Sequence, residues 1–139
     1  MKKSLYLMQG RTARMGTNGS MKLFSTRTHG VLDYSSVLLL SVLPRALGWD
    51  KTVTRLLTGS ALATLAYSLA TRYELGVVKV LPTPAHLALD GTSGLTLCLA
   101  AGILVGEPRP VRLALLGLGL FEITASLTTE TQPQNQSEA

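Results

Sequence analysis

Two histidines and two aspartates recur in this chain at one spacing. His29 precedes Asp33 by four residues, and His86 precedes Asp90 by the same interval. Residues four apart lie on the same face of an α-helix, one turn from each other. An imidazole and a carboxylate placed in this way can share a hydrogen bond, bind a metal ion or pass a proton. These four residues are therefore the first candidates for chemistry.

The two pairs belong to a longer internal repeat. When residues 23–43 are laid over residues 80–100, 7 of the 21 positions are identical. Five of the identities follow one another at steps of three and four residues, which predicts one stripe along a helix in each copy. Thr83 before Pro84 predicts an N-cap, and by equivalence Thr26 caps the first helix. The identical pairs are Thr26/Thr83, His29/His86, Leu32/Leu89, Asp33/Asp90, Ser36/Ser93, Leu38/Leu95 and Leu40/Leu97, and Arg55 and Leu56 also fall on Arg112 and Leu113.

Four apolar stretches must position these residues. They cover about residues 28–47, 53–73, 85–105 and 111–127, each close to the roughly 20 residues that a membrane-spanning helix needs. The chain is 46% hydrophobic and 15% charged, against about 25% charged residues in soluble domains. We therefore predict an all-α, four-helix transmembrane bundle made of two parallel helical-hairpin repeats, at 23–79 and 80–127. A soluble four-helix bundle with very apolar helices is the alternative.

The ends of the chain and the loops predict an orientation. Residues 1–22 are basic and are expected to be flexible, and residues 128–139 are polar and are expected to be disordered. The N-terminal segment and the middle loop hold eight Lys and Arg residues, and the other two loops hold five. Because positive residues favour the cytoplasmic side, both termini are expected there, in a bacterial inner membrane.

Two more polar residues are expected near the His/Asp pairs. Tyr67 and Glu122 lie at a similar depth in the returning helices. Ionisable groups at membrane depth usually face the interior of a bundle. His29, Asp33, His86, Asp90, Tyr67 and Glu122 could therefore form one polar cluster at the interface of the repeats.

Four uses of this cluster remain open from the sequence. It could be a structural clasp that fixes helix register, or a metal site in which His29, His86, Asp33 and Asp90 are ligands. The two histidines could also be axial ligands of a haem. The third use is translocation of protons or small solutes, and the fourth is an enzyme acting on a lipid or quinone. The sequence does not indicate a catalytic nucleophile motif or a reaction, and the clasp is the interpretation we adopt.

Composition also restricts the partners. Cys98 is the one cysteine, which excludes an internal disulfide and cysteine-cluster metal sites. The net charge is +5, but the basic residues flank the apolar stretches without interleaved aromatic residues, so we expect no nucleic-acid partner. The expected partners are the lipid bilayer and either further copies of the chain or a larger membrane complex.

Three segments resemble the SPW-repeat membrane proteins of bacteria. They are Thr-His-Gly-Val-Leu-Asp-Tyr at 28–34, Ala-Tyr-Ser-Leu-Ala-Thr-Arg-Tyr-Glu-Leu-Gly at 66–76 and Pro-Ala-His-Leu-Ala-Leu-Asp at 84–90. The name-giving Ser-Pro-Trp is largely missing, since the first unit keeps Pro44 alone and the second has Ala-Ala-Gly at 100–102. The resemblance covers residues 23–127 and implies a small integral membrane protein with two hairpin units and no assigned reaction.

Overall fold

The computed structural model describes residues 22–132, which fold into four α-helices. These are α1 (Thr26–Ala46), α2 (Lys51–Ala70), α3 (Thr83–Ile103) and α4 (Arg109–Thr128). Each has 20 or 21 residues and is therefore about 30 Å long. Residues 22–132 contain no β-strand, only two isolated bridges. The predicted all-α architecture with four helices is confirmed.

Short polar side chains begin the two helices of the first hairpin. Ser25 accepts a hydrogen bond from the Thr28 N–H at 3.2 Å, and Asp50 accepts one from the Thr52 N–H at 2.7 Å. Each bond satisfies one of the N–H groups that a helix leaves unpaired at its start. Donation by the Thr52 backbone lowers the pKa of Asp50 from its usual value, so this cap stays ionised. Between the two helices Gly48 adopts φ +63°, which glycine tolerates without a steric penalty.

The predicted helix caps were wrong by one residue. Thr26 and Thr83 are the first residues of α1 and α3, whose caps are Ser25 and Pro82. Both threonines are buried, with 0% and 5% of their surface exposed. The Thr26 hydroxyl donates to the carboxylate of Glu74 at 2.8 Å. It therefore joins α1 to the loop after α2 instead of capping its own helix.

The polar C-terminal tail begins later than residue 128. Thr128 ends α4, Thr129 is fully buried, and the Glu130 N–H donates to the Phe24 carbonyl at 2.9 Å. These contacts pair the end of the fourth helix with the segment that precedes the first, a long-range contact that composition does not reveal. Residues 133–139 and 1–21, where the rest of the predicted tail and most of the predicted N-terminal segment fall, lie outside the described residues.

The helices pack as two hairpins, α1 on α2 and α3 on α4, and α2 touches α3. The apolar core occupies the end of the bundle that holds the α1–α2 and α3–α4 connections. It consists of eight buried side chains from all four helices: Leu40, Val53, Leu57, Ala61, Leu97, Ala101, Val111 and Leu115. The buried polar side chains lie toward the opposite end, where the described chain begins and ends. The bundle is therefore divided into an apolar half and a polar half.

The two hairpins bury the same residue types at matching positions. Leu40 of α1 matches Leu97 of α3, and Leu57 of α2 matches Leu115 of α4. The residues of the second pair are one position further apart in the sequence than those of the first pair. The reason is that the connection between α3 and α4 is one residue longer than that between α1 and α2. The predicted alignment of Arg55 with Arg112 is therefore displaced by one position.

Helices α3 and α4 approach each other most closely at two glycines. A Cβ added to Gly94 would lie 2.6 Å from the Gly119 carbonyl oxygen, and one added to Gly119 would collide with the Gly94 carbonyl oxygen. No Cβ fits at such distances, so the contact requires glycine on both helices. Gly117, on another face of α4, has open space where its Cβ would be.

Replacing Gly119 with alanine is therefore expected to separate α3 from α4 and to destabilise the fold. Overpacking of this kind costs about 1–3 kcal/mol. The matched control is Gly117→Ala, where alanine is expected to be neutral or slightly stabilising because it favours the helix. Thermal unfolding of both variants in detergent measures the difference, and equal melting temperatures would contradict the close contact.

Helix α4 has the length and hydropathy of a membrane span. Among the described residues it is the one helix long and apolar enough to cross a membrane, with a mean hydropathy of 1.5 over its most apolar window. The His and Asp residues of α1 and α3 and the basic residues of α2 lower the hydropathy of the other helices. The prediction of four membrane spans therefore stays a prediction.

Candidate functional site

Four buried side chains meet at the polar end of the bundle. His29 and Asp33 come from the first two turns of α1, and His86 and Asp90 come from the first two turns of α3. One nitrogen or oxygen atom from each lies within 4.8 Å of the other three, and each residue is at most 5% exposed. We call these four residues the His/Asp tetrad. The structure thus brings together the two pairs that the sequence singled out.

Each histidine of the tetrad contacts both aspartates. Within its own helix, His29 Nε2 lies 3.3 Å from Asp33 Oδ1, and His86 Nε2 lies 3.1 Å from Asp90 Oδ2. Between hairpins, His29 Nε2 lies 2.8 Å from Asp90 Oδ2, and His86 Nε2 lies 3.1 Å from Asp33 Oδ2. The contacts between hairpins are therefore as short as those within a helix, so the tetrad joins the two hairpins.

Two threonines fix the orientation of the imidazoles. The hydroxyl of Thr129 lies 2.8 Å from His29 Nδ1, and that of Thr71 lies 2.8 Å from His86 Nδ1. Each hydroxyl donates its single proton to a backbone carbonyl one turn earlier, that of Ala125 at 2.7 Å or Tyr67 at 2.6 Å. Each hydroxyl oxygen must therefore accept from the imidazole, so both Nδ1 atoms carry a proton and both Nε2 atoms face the carboxylates.

Both threonines lie just after the end of a helix. Thr129 pairs with Phe24 and Thr71 pairs with Leu81 in the two isolated parallel bridges. Each bridge sets the residue after one helix beside the residues that precede another. The histidine in the first turn of that second helix thereby comes within reach of the threonine, which is why both imidazoles are held in the same way.

Three further hydroxyl groups complete the surroundings of the aspartates. The Tyr67 hydroxyl donates to Asp90 Oδ1 at 2.5 Å. Asp33 Oδ2 accepts from Ser68 Oγ at 3.2 Å and from the Tyr73 hydroxyl at 3.1 Å. Burial, together with the neighbouring Asp33 carboxylate, raises the pKa of Tyr73 above its usual value. The Tyr73 phenol therefore keeps its proton and donates.

Tyr73 reaches the tetrad from the loop after α2 because α1 leaves space for its ring. A Cβ added to Gly30 would collide with the Tyr73 ring, and the Leu75 side chain lies 3.1 Å from the same point. Tyr73 is 2% exposed, and its ring centroid lies 5.4 Å from that of His86. Gly30 thus admits the ring that closes one side of the tetrad.

The two hairpins differ beside the tetrad. With α2 laid over α4 so that their buried leucines coincide, Tyr67 falls on Ala125 and Thr64 falls on Glu122. Tyr67 fills the space beside the tetrad on the α2 side. On the α4 side the smaller Ala125 leaves a cavity of about 10 Å³, next to Asp33 and lined also by Glu122. A cavity of this size holds about one water molecule. Glu122 Oε2 is buried there without a hydrogen-bond partner among the described residues.

The predicted polar cluster is therefore assembled in part as expected. His29, Asp33, His86 and Asp90 form the tetrad, and Tyr67 bonds directly to it, whereas Glu122 lines the adjacent cavity. A haem between the two histidines stays a prediction, and this arrangement does not favour it. The imidazole centroids are 5.3 Å apart, and the aspartates occupy the space between the two Nε2 atoms.

Sequence reasoning missed four contributors, Thr71, Thr129, Ser68 and Tyr73. Three of them carry a signal in the sequence, because Ser-Leu-Ala-Thr at 68–71 recurs as Ser-Leu-Thr-Thr at 126–129. These two segments are one residue further apart in the sequence than the equivalent residues of α1 and α3. Aligning the chain with itself at the single spacing that matches α1 with α3 therefore does not reveal them. Tyr73 has no such signal, since its position depends on the path of a loop.

Comparison with known proteins adds no relative. No family model, no curated protein and no solved structure matches the chain. The resemblance to the SPW-repeat proteins therefore stays a prediction. What the tetrad can do has to be inferred from its own atoms.

Proposed function

We propose that this chain is a small integral membrane protein of the bacterial inner membrane in which the His/Asp tetrad clasps two helical-hairpin repeats together. The observation that carries the proposal is the pairing between hairpins, His29 with Asp90 at 2.8 Å and His86 with Asp33 at 3.1 Å. Each hairpin supplies one histidine and one aspartate to this pairing. Separation of the hairpins would break both of these contacts, so the pairing favours their association.

The charges of the tetrad favour a clasp. Two carboxylates that are each 5% exposed need positive partners, because an unpaired buried charge is strongly unfavourable. Two imidazolium groups, each with Nδ1–H directed to a threonine and Nε2 within 3.3 Å of both carboxylates, make the tetrad neutral. A neutral tetrad with these supporting bonds is tolerated inside an apolar bundle.

Exposed apolar side chains support location in the membrane. Large apolar residues cover the outer faces of all four helices, among them Leu38 at 66%, Leu62 at 63%, Leu99 at 56% and Leu120 at 52% exposure. A water-soluble bundle places charged and polar residues on these faces. The outer faces here suit lipid, and the helix length of about 30 Å suits the hydrocarbon thickness of about 30 Å.

Repetition of buried positions supports two parallel hairpin repeats. Thr71 and Thr129 hold equivalent histidines at equal distances of 2.8 Å. Two spans per repeat return the chain to its starting side, so the repeats would be related by a pseudo-two-fold axis along the membrane normal.

Labelling of single cysteines in intact cells tests both location and orientation. In a Cys98→Ala background, Gly106→Cys places a thiol in the α3–α4 connection, where a side chain meets open space. Val78→Cys places one in the α2–α3 loop, at a position that is 64% exposed. With both termini cytoplasmic, an impermeant maleimide is expected to label position 106 in intact cells and position 78 only after permeabilisation.

Two results would contradict the proposed location. One is recovery of the chain in the soluble fraction after cell lysis without detergent. The other is equal labelling of positions 78 and 106 in intact cells, since the two loops must lie on opposite sides of a membrane. Labelling of position 78 alone would retain the membrane location and reverse the orientation.

A further inference from the structure

The tetrad also has the composition of a metal site. Four side chains offer two imidazole nitrogens and two carboxylate oxygens within 4.8 Å of one another. Nitrogen and oxygen donors in this number suit a tetrahedral zinc ion. All four residues are buried, since each is at most 5% exposed.

We propose that the His/Asp tetrad binds one divalent transition-metal ion of the zinc class, with His29, Asp33, His86 and Asp90 as its four protein ligands. This inference rests on the proposed clasp, because the ion would occupy the same four residues and would join the same two hairpins. The metal proposal names the ion that would join the two hairpins, and it makes the stability of the clasp depend on metal.

The hydrogen bonds around the tetrad are those of a metal site. Ligating histidines almost always donate their other ring N–H to a fixed acceptor, which sets the tautomer. Here the Thr129 and Thr71 hydroxyl oxygens accept from Nδ1 of His29 and His86 at 2.8 Å. Both Nε2 atoms are thereby directed to the centre of the tetrad. Hydroxyl donors likewise hold the aspartates, as Tyr67 does for Asp90 at 2.5 Å.

One buried nitrogen lacks a well-aligned partner. His86 Nε2 lies 3.1 Å from the nearest oxygen of each aspartate, yet it forms no hydrogen bond of acceptable geometry among the described residues. A buried nitrogen of this kind is costly in a native fold and calls for an unseen partner such as an ion or water. An ion between the four donors would supply that partner.

The charge of the tetrad and the distances between its atoms both permit a zinc ion to replace two protons. A zinc ion carries two positive charges, so it can replace the two protons on the Nε2 atoms, which leave to solvent, and the tetrad stays neutral. Ligands at 2.0–2.1 Å from a tetrahedral zinc ion lie about 3.3–3.4 Å from one another. The four nitrogen–oxygen distances here are between 2.8 and 3.3 Å. These contacts between imidazole nitrogens and carboxylate oxygens are within a few tenths of an ångström of the spacing in a tetrahedral site, and one donor atom of each residue lies within 4.8 Å of the other three.

Metal analysis of the purified full chain tests the proposal. The protein in detergent is stripped with a chelator, incubated with zinc chloride at neutral pH, freed of unbound ion and analysed for zinc. One zinc per chain is expected in the wild type, and a loss of at least tenfold in His86→Gln. The control Gly119→Ala perturbs the α3–α4 contact but keeps all four ligands, so it is expected to retain one zinc per folded chain.

Cobalt and thermal unfolding separate the possible outcomes. Cobalt in place of zinc is expected to give the visible absorption of a tetrahedral ion, and added zinc is expected to raise the melting temperature of the wild type but not of His86→Gln. Folded wild type that takes up less than a tenth of an equivalent overturns the metal proposal and leaves the clasp standing. Stoichiometric zinc bound without any change in melting temperature also overturns the metal proposal, because an ion held by the folded tetrad must stabilise the fold; the clasp is tested separately by Asp90→Asn in excess chelator.

Discussion

Replacing Asp90 with asparagine is expected to lower the free energy of unfolding by about 3–5 kcal/mol. The substitution keeps the shape of the side chain but removes its charge. His29 Nε2 and His86 Nε2, which lie 2.8 and 3.1 Å from Asp90, would then share only Asp33. One imidazolium would remain buried without a counter-charge, and this accounts for most of the expected loss. Equilibrium unfolding in detergent micelles, followed by circular dichroism, measures it.

The control for this substitution is Asp50→Asn. Asp50 is exposed and caps α2, and asparagine caps a helix about as well as aspartate. The loss of stability in Asp50→Asn is therefore expected to be much smaller than in Asp90→Asn, because an exposed cap leaves no buried charge without a partner. Both variants are measured in excess chelator, so that loss of a bound ion does not contribute. Equal effects at positions 50 and 90 would show that the tetrad does not clasp the hairpins.

Simultaneous replacement of all four tetrad residues by leucine gives a second check. Removal of a whole buried ion cluster in favour of apolar residues is often neutral or stabilising by about 1–4 kcal/mol, in contrast to removal of one partner. The quadruple variant is therefore expected to be more stable than Asp90→Asn. A quadruple variant less stable than the single one would indicate that packing, not charge pairing, dominates at these positions.

Arginine in place of Leu62 is expected to reduce membrane integration strongly. Leu62 lies near the centre of α2 and is 63% exposed, on the face proposed to contact lipid. An arginine at the centre of a membrane-spanning helix costs about 2.5–3.5 kcal/mol on insertion scales, which corresponds to a roughly 100-fold shift in an equilibrium. The amount of chain that resists alkaline extraction from membranes measures the effect.

Val78→Arg is the matched control for the Leu62 substitution. Val78 is 64% exposed, nearly the same fraction as Leu62, but it lies in the loop between α2 and α3. A positive residue in a cytoplasmic loop is favourable, so membrane integration is expected to stay unchanged. In a water-soluble bundle, arginine at either exposed site would instead change the free energy of unfolding by no more than about 0.5 kcal/mol. A similar response of both variants would therefore contradict the membrane proposal.

The sequence by itself determined the helices and the two His/Asp pairs. Apolar stretches of helical length, separated by short polar loops, placed four helices within three residues of their observed bounds. The spacing of four residues put His29 with Asp33 and His86 with Asp90 on single helix faces, because the pitch of a helix is local and fixed. Equal stripes in the two copies then predicted that the pairs would meet.

Only the tertiary structure decided how the pairs are supported. Thr129 reaches His29 across 100 residues of sequence, and Tyr73 reaches Asp33 across 40. Such contacts depend on how the chain ends and loops pass the first turns of α1 and α3, and no local periodicity encodes those paths. The same reason explains the cavity beside Ala125, since the absence of a tyrosine there becomes visible only when α2 and α4 are aligned by their buried positions.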